Sequence, residues 1–122
     1  MTATDFATDK TLETLKTAIE TRDAAAMIGL YADDAELKIM DRIHQPSNPL
    51  MFRGKQEIAG YWQDICGRDM SHRVERSVAA GDTVAYSEAC QYPSGERVHC
   101  VTVLELRDGK VVRQVGVQTW DE

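Results

Sequence analysis

The chain has 122 residues, with 14 lysines and arginines against 20 aspartates and glutamates, and a formal net charge of −6. A chain of this length is expected to form one domain, here spanning residues 1–122. Such a domain buries roughly two thirds of its unfolded surface without help from a metal or a disulfide. The acidic balance argues against nucleic acid and anionic membranes as partners, because phosphate binding relies on concentrated lysine and arginine.

The cysteines and the N-terminal segment indicate where the protein works. Cys66, Cys90 and Cys100 are odd in number and form no Cys-x-x-Cys spacing, which favours reduced thiols over a zinc or redox role. The first ten residues, MTATDFATDK, lack the basic segment and apolar run of a signal peptide. No apolar stretch approaches the roughly 20 residues that span a bilayer. We therefore expect a soluble, cytoplasmic protein with no membrane partner.

The first half of the chain predicts two helices, a strand and a long loop. Residues 1–7 are expected to form a loose arm, followed by a helix over 8–21 whose apolar residues recur at helical spacing. A shorter helix is expected over 24–31, and the alternation in 35–40 predicts a first strand. Residues 41–53 hold two of the three prolines and predict an irregular loop.

The second half predicts one helix followed by four strands. Apolar residues at i, i+3, i+4 and i+7 mark a helix over 54–66; they are Ile58, Tyr61, Trp62 and Ile65. Strands are expected over 72–79 and 83–92, and a long hairpin over 97–120. This order indicates an α+β fold in which helices pack against one face of a curved sheet.

The final hairpin has two different faces. Its loop is interpreted as three residues, 107–109, with glycine in the left-handed position, which places Thr102 opposite Gln114. Because side chains alternate along a strand, one face mixes polar and apolar groups, and the other carries Val111 and a compact valine patch. The mixed face comprises Val98, Cys100, Thr102, Leu104, Leu106, Lys110, Val112, Gln114, Gly116 and Gln118, and the valine patch comprises Val101, Val103, Val115 and Val117. Apolar residues on both faces require cover on both sides, and we expect helices on the mixed face and a second copy of the chain on the valine patch.

Three segments in this order carry a family resemblance. LYADDAEL before the first strand, RGKQEI at the start of the third helix and LRDGKVV at the final turn resemble the nuclear-transport-factor-2-like superfamily. Within it the chain is similar to the SnoaL-like branch, which includes polyketide cyclases, and more distantly to ketosteroid isomerases. The resemblance covers residues 8–122. It implies a cone-like curved mixed sheet with three N-terminal helices packed on its concave face around a pocket, and commonly a homodimer through the convex face.

The resemblance also excludes one reaction. Ketosteroid isomerases use an aspartate base on the first strand, with a tyrosine and a neutral aspartic acid that stabilise the enolate. Alignment with this family places Ile39, Leu15 and Thr102 at those three positions. Leucine and isoleucine can neither move a proton nor donate a hydrogen bond, so ketosteroid isomerisation is rejected.

The aligned residues predict a largely apolar pocket for a small hydrophobic molecule with hydroxyl or carbonyl groups. Trp62 is expected to face it beside Thr102 and Gln114, with Gln118 and Trp120 nearer the mouth. The full set of candidate substrate-binding residues is Leu15, Ile39, Tyr61, Trp62, Cys100, Thr102, Gln114, Gly116, Gln118 and Trp120. The alternative is that Thr102, Gln114 and Gln118 only hydrogen-bond one another across the strands.

Three residues are candidates for acid–base catalysis. Asp41 lies two residues beyond the family's base position, and the alternative is a loop aspartate that caps a turn. His72 is expected near the pocket because Val74 and Val78 share its strand parity and look buried, and His44 lies in the proline-containing loop. An Asp41–His72 or an Asp41–His44 pair would be a plausible acid–base couple.

Two functions remain open from the sequence. The first is a cofactor-free enzyme that cyclises, isomerises or dehydrates a hydrophobic carbonyl or hydroxyl compound. The second is a non-catalytic ligand-binding or dimerisation module, which the missing base and hydrogen-bond donors favour. No metal is expected, because no group of histidine and acidic residues shows ligand spacing.

Overall fold

The computed structural model describes residues 2–121, which form three helices and six strands. The helices are α1 (Ala3–Glu20), α2 (Ala24–Ile28) and α3 (Gly54–Gly67), and the strands are β1 (Tyr31–Met40), β2 (Leu50–Arg53), β3 (Ser71–Ala80), β4 (Thr83–Gln91), β5 (Arg97–Arg107) and β6 (Lys110–Trp120). One curved, unclosed sheet contains the strands in the order β2-β1-β6-β5-β4-β3. Only β1 and β6 pair in parallel within this part of the chain. The predicted α+β class with a mixed sheet is confirmed.

Helix α1 begins earlier than predicted. It starts at Ala3, so the prediction of a loose arm over residues 1–7 is wrong where the structure describes that segment. Met1 lies outside the described residues. Thr2 and Asp5 form a capping box, in which the Thr2 hydroxyl accepts from the Asp5 N–H at 3.1 Å and the Asp5 carboxylate accepts from the Thr2 N–H at 3.2 Å. These bonds satisfy amides that the first turn of a helix would otherwise leave without partners.

The first part of the sheet is larger than predicted. Helix α2 ends at Ile28, and Tyr31, which was placed in that helix, begins β1. Pairing with β6, starting at Tyr31 opposite Val111, extends β1 beyond the segment that alternates clearly. The expected loop contains β2, whose residues Leu50–Arg53 pair antiparallel with β1. The local sequence pattern predicts β1 too short and misses β2, because the strands that pair with them are distant in sequence.

The turn between β5 and β6 is one residue shorter than predicted. Arg107 pairs with Lys110, so Asp108 and Gly109 form the turn. Both have positive φ values, 53° for Asp108 and 77° for Gly109, as a two-residue turn of type I′ requires.

A bulge in the hairpin preserves most of the predicted faces. The register shifts between Glu105 and Leu106, with Val112 as the extra residue. The shorter turn and the bulge each displace the pairing by one residue, so Thr102 lies opposite Gly116. A total shift of two leaves the side chains beyond the bulge on their predicted faces, because alternation has a period of two.

The predicted inside and outside of the hairpin are confirmed. Thr102 and Gln114 are 4% and 5% exposed, whereas Val101 and Val117 are 50% and 47% exposed. Val111 is an exception: it was expected on the valine face and is fully buried, because it lies between the turn and the bulge.

Helices α1 and α3 lie over the polar and apolar mixed face of the sheet. Helix α1 contacts β3 and β4, α3 contacts β1 and β2, and α2 contacts α1 and α3. Their buried side chains join those of the sheet in one core, which includes Leu15, Ile58, Leu37 and Leu104. Among residues 2–121, no helix has the length and apolar character needed to cross a membrane.

Candidate functional site

A buried hydrogen-bond network fills the interior where the sequence predicts part of the pocket. The Tyr31 hydroxyl donates to Gln114 Oε1 and accepts from Trp62 Nε1 at 3.0 Å. All three residues are buried, and burial raises the pKa of the Tyr31 hydroxyl, which therefore stays protonated. The network ties β1, β6 and α3 together and occupies space that a ligand would need.

The predicted substrate-binding residues consequently divide into two groups. Ile39, Tyr61, Gln118 and Trp120 line an open cavity at one end of the sheet. The other six do not line it: Leu15, Trp62, Thr102, Gln114 and Gly116 are buried deeper, and Cys100 is partly buried. Tyr31 accounts for much of the difference, because its ring lies in the same core as Leu15 and Trp62 and its hydroxyl bonds Gln114.

The open cavity has a volume of about 670 Å³, which is within the range of small-molecule sites. Its walls come from β1, β2, α3, β6 and the loop after β1, namely Ile39, Asp41, Arg42, Ile43, Leu50, Met51, Phe52, Glu57, Gly60, Tyr61, Asp64, Ile65, Arg68, Gln118 and Trp120. Phe52 and Tyr61 pack with ring centroids 5.0 Å apart. The Arg42 guanidinium lies 4.6 Å from the centre of the Trp120 ring, a cation–π contact that holds the loop against the end of β6.

Asp41 lies at the rim of this cavity and pairs with His44, which is not among the lining residues. Asp41 Oδ1 accepts from the backbone N–H groups of Ile43 at 3.0 Å and His44 at 2.8 Å, and lies 2.9 Å from His44 Nδ1. Partial burial works to raise the pKa of the Asp41 carboxyl, but these hydrogen bonds and the histidine outweigh it and lower the pKa. Of the two predicted couples, the structure forms the one with His44.

His72 lies elsewhere, in a buried cluster with Glu88 and Cys90. Its Nδ1 is 2.9 Å from Glu88 Oε1 and 3.3 Å from Cys90 Sγ, and Cys90 Sγ is 3.3 Å from the same carboxylate oxygen. The position of His72 was predicted from alternation with Val74 and Val78 along one strand. A bulge between Val74 and Arg76 interrupts that alternation, so Val78, which was expected to be buried, is 61% exposed. His72 itself still points inward, because it precedes the bulge.

Electrostatics in this cluster disfavour a free thiolate. A hydrogen bond with Cys100, burial and the nearby Glu88 carboxylate together raise the pKa of the Cys90 thiol. Cys100 lies directly opposite Glu88 in the register of β4 and β5, and opposite Gln118 in the register of β5 and β6. Cys100 therefore stands between the cluster and the wall of the open cavity.

The sequence did not single out Glu88, Arg42 or Arg68. Glu88 and Cys90 are two residues apart on a strand, which places them on one face, but their partner His72 is contributed by another strand. Arg68 lines the cavity and binds both Asp64, at 2.7 Å, and the Tyr92 hydroxyl, at 2.9 Å. The i,i+4 spacing of Asp64 on α3 and Arg68 directly after that helix was the available signal for this pair.

Residues 12–114 match the family model described as a SnoaL-like domain. This match covers most of the chain. The chain belongs to the SnoaL-like family. No curated protein matches the sequence, so the fold comparisons are with solved structures.

SnoaL-like and nuclear-transport-factor-2-like structures share the fold. An NTF2-like protein of unknown function from Mesorhizobium loti is 20% identical, with a TM-score of 0.82 over 93% of this chain and 92% of that chain. A proposed ketosteroid isomerase from Kribbella flavida is 22% identical, with a TM-score of 0.76 over 97% and 80%. IdmH from Streptomyces antibioticus, a proposed polyketide cyclase, is 23% identical, with a TM-score of 0.66 over 90% and 90%. At these identities the likeness establishes the SnoaL-like fold, and the chemistry must be argued from the residues.

Proposed function

We propose that this SnoaL-like protein binds a small hydrophobic molecule with hydroxyl or carbonyl groups in the open cavity, and that it cyclises, isomerises or dehydrates that molecule without a cofactor. The cavity, bounded by α3 and one end of the curved sheet, carries this proposal. The polyketide cyclase and isomerase names among the structural neighbours are consistent with this class of substrate.

The cavity wall supports binding of a mainly apolar ligand. Apolar and aromatic side chains form most of the wall, while Gln118, Arg68 and Asp41 offer hydrogen-bonding groups at separate points. Such a surface binds a hydrophobic skeleton through burial and orients it through a few polar contacts.

The Asp41–His44 pair supports acid–base chemistry at the rim. When His44 Nδ1 donates to the Asp41 carboxylate, Nε2 carries the lone pair and can accept a proton from a substrate. The lowered pKa keeps Asp41 ionised near neutral pH, so it stabilises the imidazolium that forms. In this proposal His44 is the base and Asp41 orients it.

Binding is tested with a matched pair of substitutions on α3. Gly60 lines the cavity and Gly67 does not, and a Cβ at either position meets nothing within 4 Å. Gly60→Trp should lower affinity for an apolar fluorescent probe such as anilinonaphthalene sulfonate at least about tenfold, because the indole occupies the cavity. Gly67→Trp should leave probe affinity within about twofold. Equal probe binding by both variants would contradict the assigned cavity.

Catalysis is tested by screening hydrophobic hydroxyl and carbonyl compounds for turnover and then measuring variants. Asp41→Asn and His44→Gln should each lower kcat about 10²-fold or more, the usual contribution of a positioned acid–base group, while probe affinity is retained. Full activity in both variants would remove this pair from the mechanism. Loss of activity in His72→Asn alone would instead transfer the role to the buried cluster.

The second candidate function is ligand binding without catalysis. Leu15 and Ile39, which stand at the catalytic positions of ketosteroid isomerases, are buried and apolar. Asp41 Oδ1 already accepts three hydrogen bonds, as a purely turn-capping aspartate would. A bound metabolite recovered unchanged after long incubation with the protein would favour this alternative.

We also propose that the protein forms a homodimer through the valine patch. Val101, Val103 and Val117 are 44% to 50% exposed, and Val115 lies among them on the same face. An exposed patch of this kind on a sheet is more stable when a second sheet covers it. The same patch on two copies would form a two-fold interface.

A cytoplasmic location remains part of the proposal. Cys66, Cys90 and Cys100 are free thiols. Free thiols persist in a reducing compartment. Localisation of a tagged chain by fractionation is the measurement that checks it.

A further inference from the structure

The His72–Glu88–Cys90 cluster has the composition and geometry of a metal site. The three side chains are contributed by β3 and β4, with His72 directly opposite Cys90 in the register and Glu88 two residues before Cys90 on the same face. One ligand atom from each residue lies within 4.8 Å of the others. We propose that this cluster binds a divalent transition-metal ion of the zinc type.

The donor atoms suit such an ion. An imidazole nitrogen, a thiolate sulfur and a carboxylate oxygen are the three ligand types that zinc takes in proteins. Bonds of about 2.0–2.3 Å in a tetrahedron place such ligands about 3.4–3.6 Å apart. The observed separations are 2.9, 3.3 and 3.3 Å. A bound ion would therefore require the side chains to move apart by only a few tenths of an ångström.

The burial of the cluster also favours a cation. The side chains of His72 and Glu88 are 5% and 9% exposed, and Cys90 is 6% exposed. A buried carboxylate needs a compensating positive charge, which a divalent ion supplies to both the carboxylate and a thiolate.

The proposed ion is separate from the substrate cavity and would act on the sheet. Gln118 and Trp120 of β6 line the cavity, whereas the cluster lies on β4 and the edge strand β3. Two strand spacings separate β6 from β4, or about 10 Å. An ion held by His72 and Cys90 would cross-link β3 to β4. Cys100, directly opposite Glu88 on β5, is a candidate for a fourth ligand.

The test uses the full chain after chelator treatment and dialysis, titrated with Zn²⁺ and with Co²⁺ as a spectroscopic probe. We expect one ion per chain, a thiolate-to-cobalt charge-transfer band, and a Zn²⁺-dependent rise in Tm, because an ion that binds the folded chain stabilises it. Fewer than about 0.2 ions per chain, or cobalt bound without a thiolate band, would overturn the proposal. The thiolate band is required because the acidic surface can hold ions weakly.

Variants identify the ligands and separate binding from folding. Cys90→Val keeps the side-chain size and should abolish the cobalt band, whereas Cys66→Val, outside the cluster on α3, should retain it. Glu88→Gln keeps the shape of the cluster, so the metal-free chain should fold with an unchanged or higher Tm, yet its Zn²⁺ affinity should fall at least about tenfold. An unchanged Zn²⁺ response in both Cys90→Val and Glu88→Gln would refute the site.

Discussion

Tyr31→Phe removes one oxygen atom from the centre of the core, and its effect follows from the buried network. The Tyr31 hydroxyl pairs with Trp62 Nε1 and Gln114 Oε1, and both partners are 5% exposed. Phenylalanine leaves both groups buried without this partner, and each such group costs about 1–3 kcal/mol. Allowing for some rearrangement of Gln114, we expect the free energy of unfolding to fall by about 2–4 kcal/mol. That is a large part of the 5–15 kcal/mol typical of a domain.

The assay is urea unfolding followed by circular dichroism. A loss of this size should lower the midpoint by about 1–2 M at the m-values usual for small domains. Tyr92→Phe is the matched control, because the Tyr92 hydroxyl is only partly buried and its donor, Arg68, also binds Asp64. The control should lose less than about 1 kcal/mol.

A double variant separates lost hydrogen bonds from lost packing. Tyr31→Phe combined with Gln114→Met replaces the Tyr31 hydroxyl and the Gln114 amide by apolar groups and leaves only Trp62 Nε1 without this partner, which should recover part of the stability lost in Tyr31→Phe. A Tyr31→Phe variant within about 0.5 kcal/mol of the parent chain would refute the claim that this network fills and stabilises the interior.

Three further predictions concern the rim, the turns and the valine patch. Because the pKa of Asp41 is lowered in the folded chain, its contribution to stability is fully present above the unfolded pKa of about 3.9 and is lost as pH falls through the folded value. Asp41→Asn should therefore unfold at lower urea than the parent at pH 7, and the difference should shrink below about pH 4; a constant difference would contradict the assignment. Gly109→Ala should lower the free energy of unfolding by about 1–2 kcal/mol, because Gly109 has a φ of +77°. Gly60→Ala, inside α3 with open space around the added Cβ, should raise the free energy of unfolding by about 0.5–1 kcal/mol. Thermal melts in which Gly109→Ala is the more stable of the two variants would contradict the turn geometry. Val115→Glu should yield monomers by light scattering, because a charge in the valine patch would have to be buried at the dimer contact; an unchanged dimer mass would exclude this interface.

Local patterns in the sequence predicted the elements that carry a clear period. Helix α3 follows from four apolar residues at helical spacing, and the observed range Gly54–Gly67 differs from the prediction by one residue. Alternation along the strand correctly predicts that Thr102 points inward and Val101 outward. The predicted pairing was wrong by two residues, and a shift of two leaves each side chain on the same face.

The errors occur where distant pairing decides the structure. Tyr31 looked like the end of a helix, but pairing with β6 makes it the start of β1 and places its ring in the interior. Val78 looked buried until the bulge between Val74 and Arg76 reversed its side. Neither a strand pairing nor a bulge has a dependable local signal in one sequence.

The fold and the candidate site were each determined partly by the sequence alone and partly by the tertiary structure. The sequence by itself determined the α+β class, the SnoaL-like resemblance, the inner and outer faces of the last hairpin, and the presence of Asp41 and His44 in one loop. Only the tertiary structure decided that Tyr31 closes the deep interior, that the cavity lies at the open end of the sheet, and that His72 meets Glu88 and Cys90. Helical and strand periods are set by neighbouring residues, whereas a cavity or a ligand cluster is formed by side chains on elements that meet only when the chain folds.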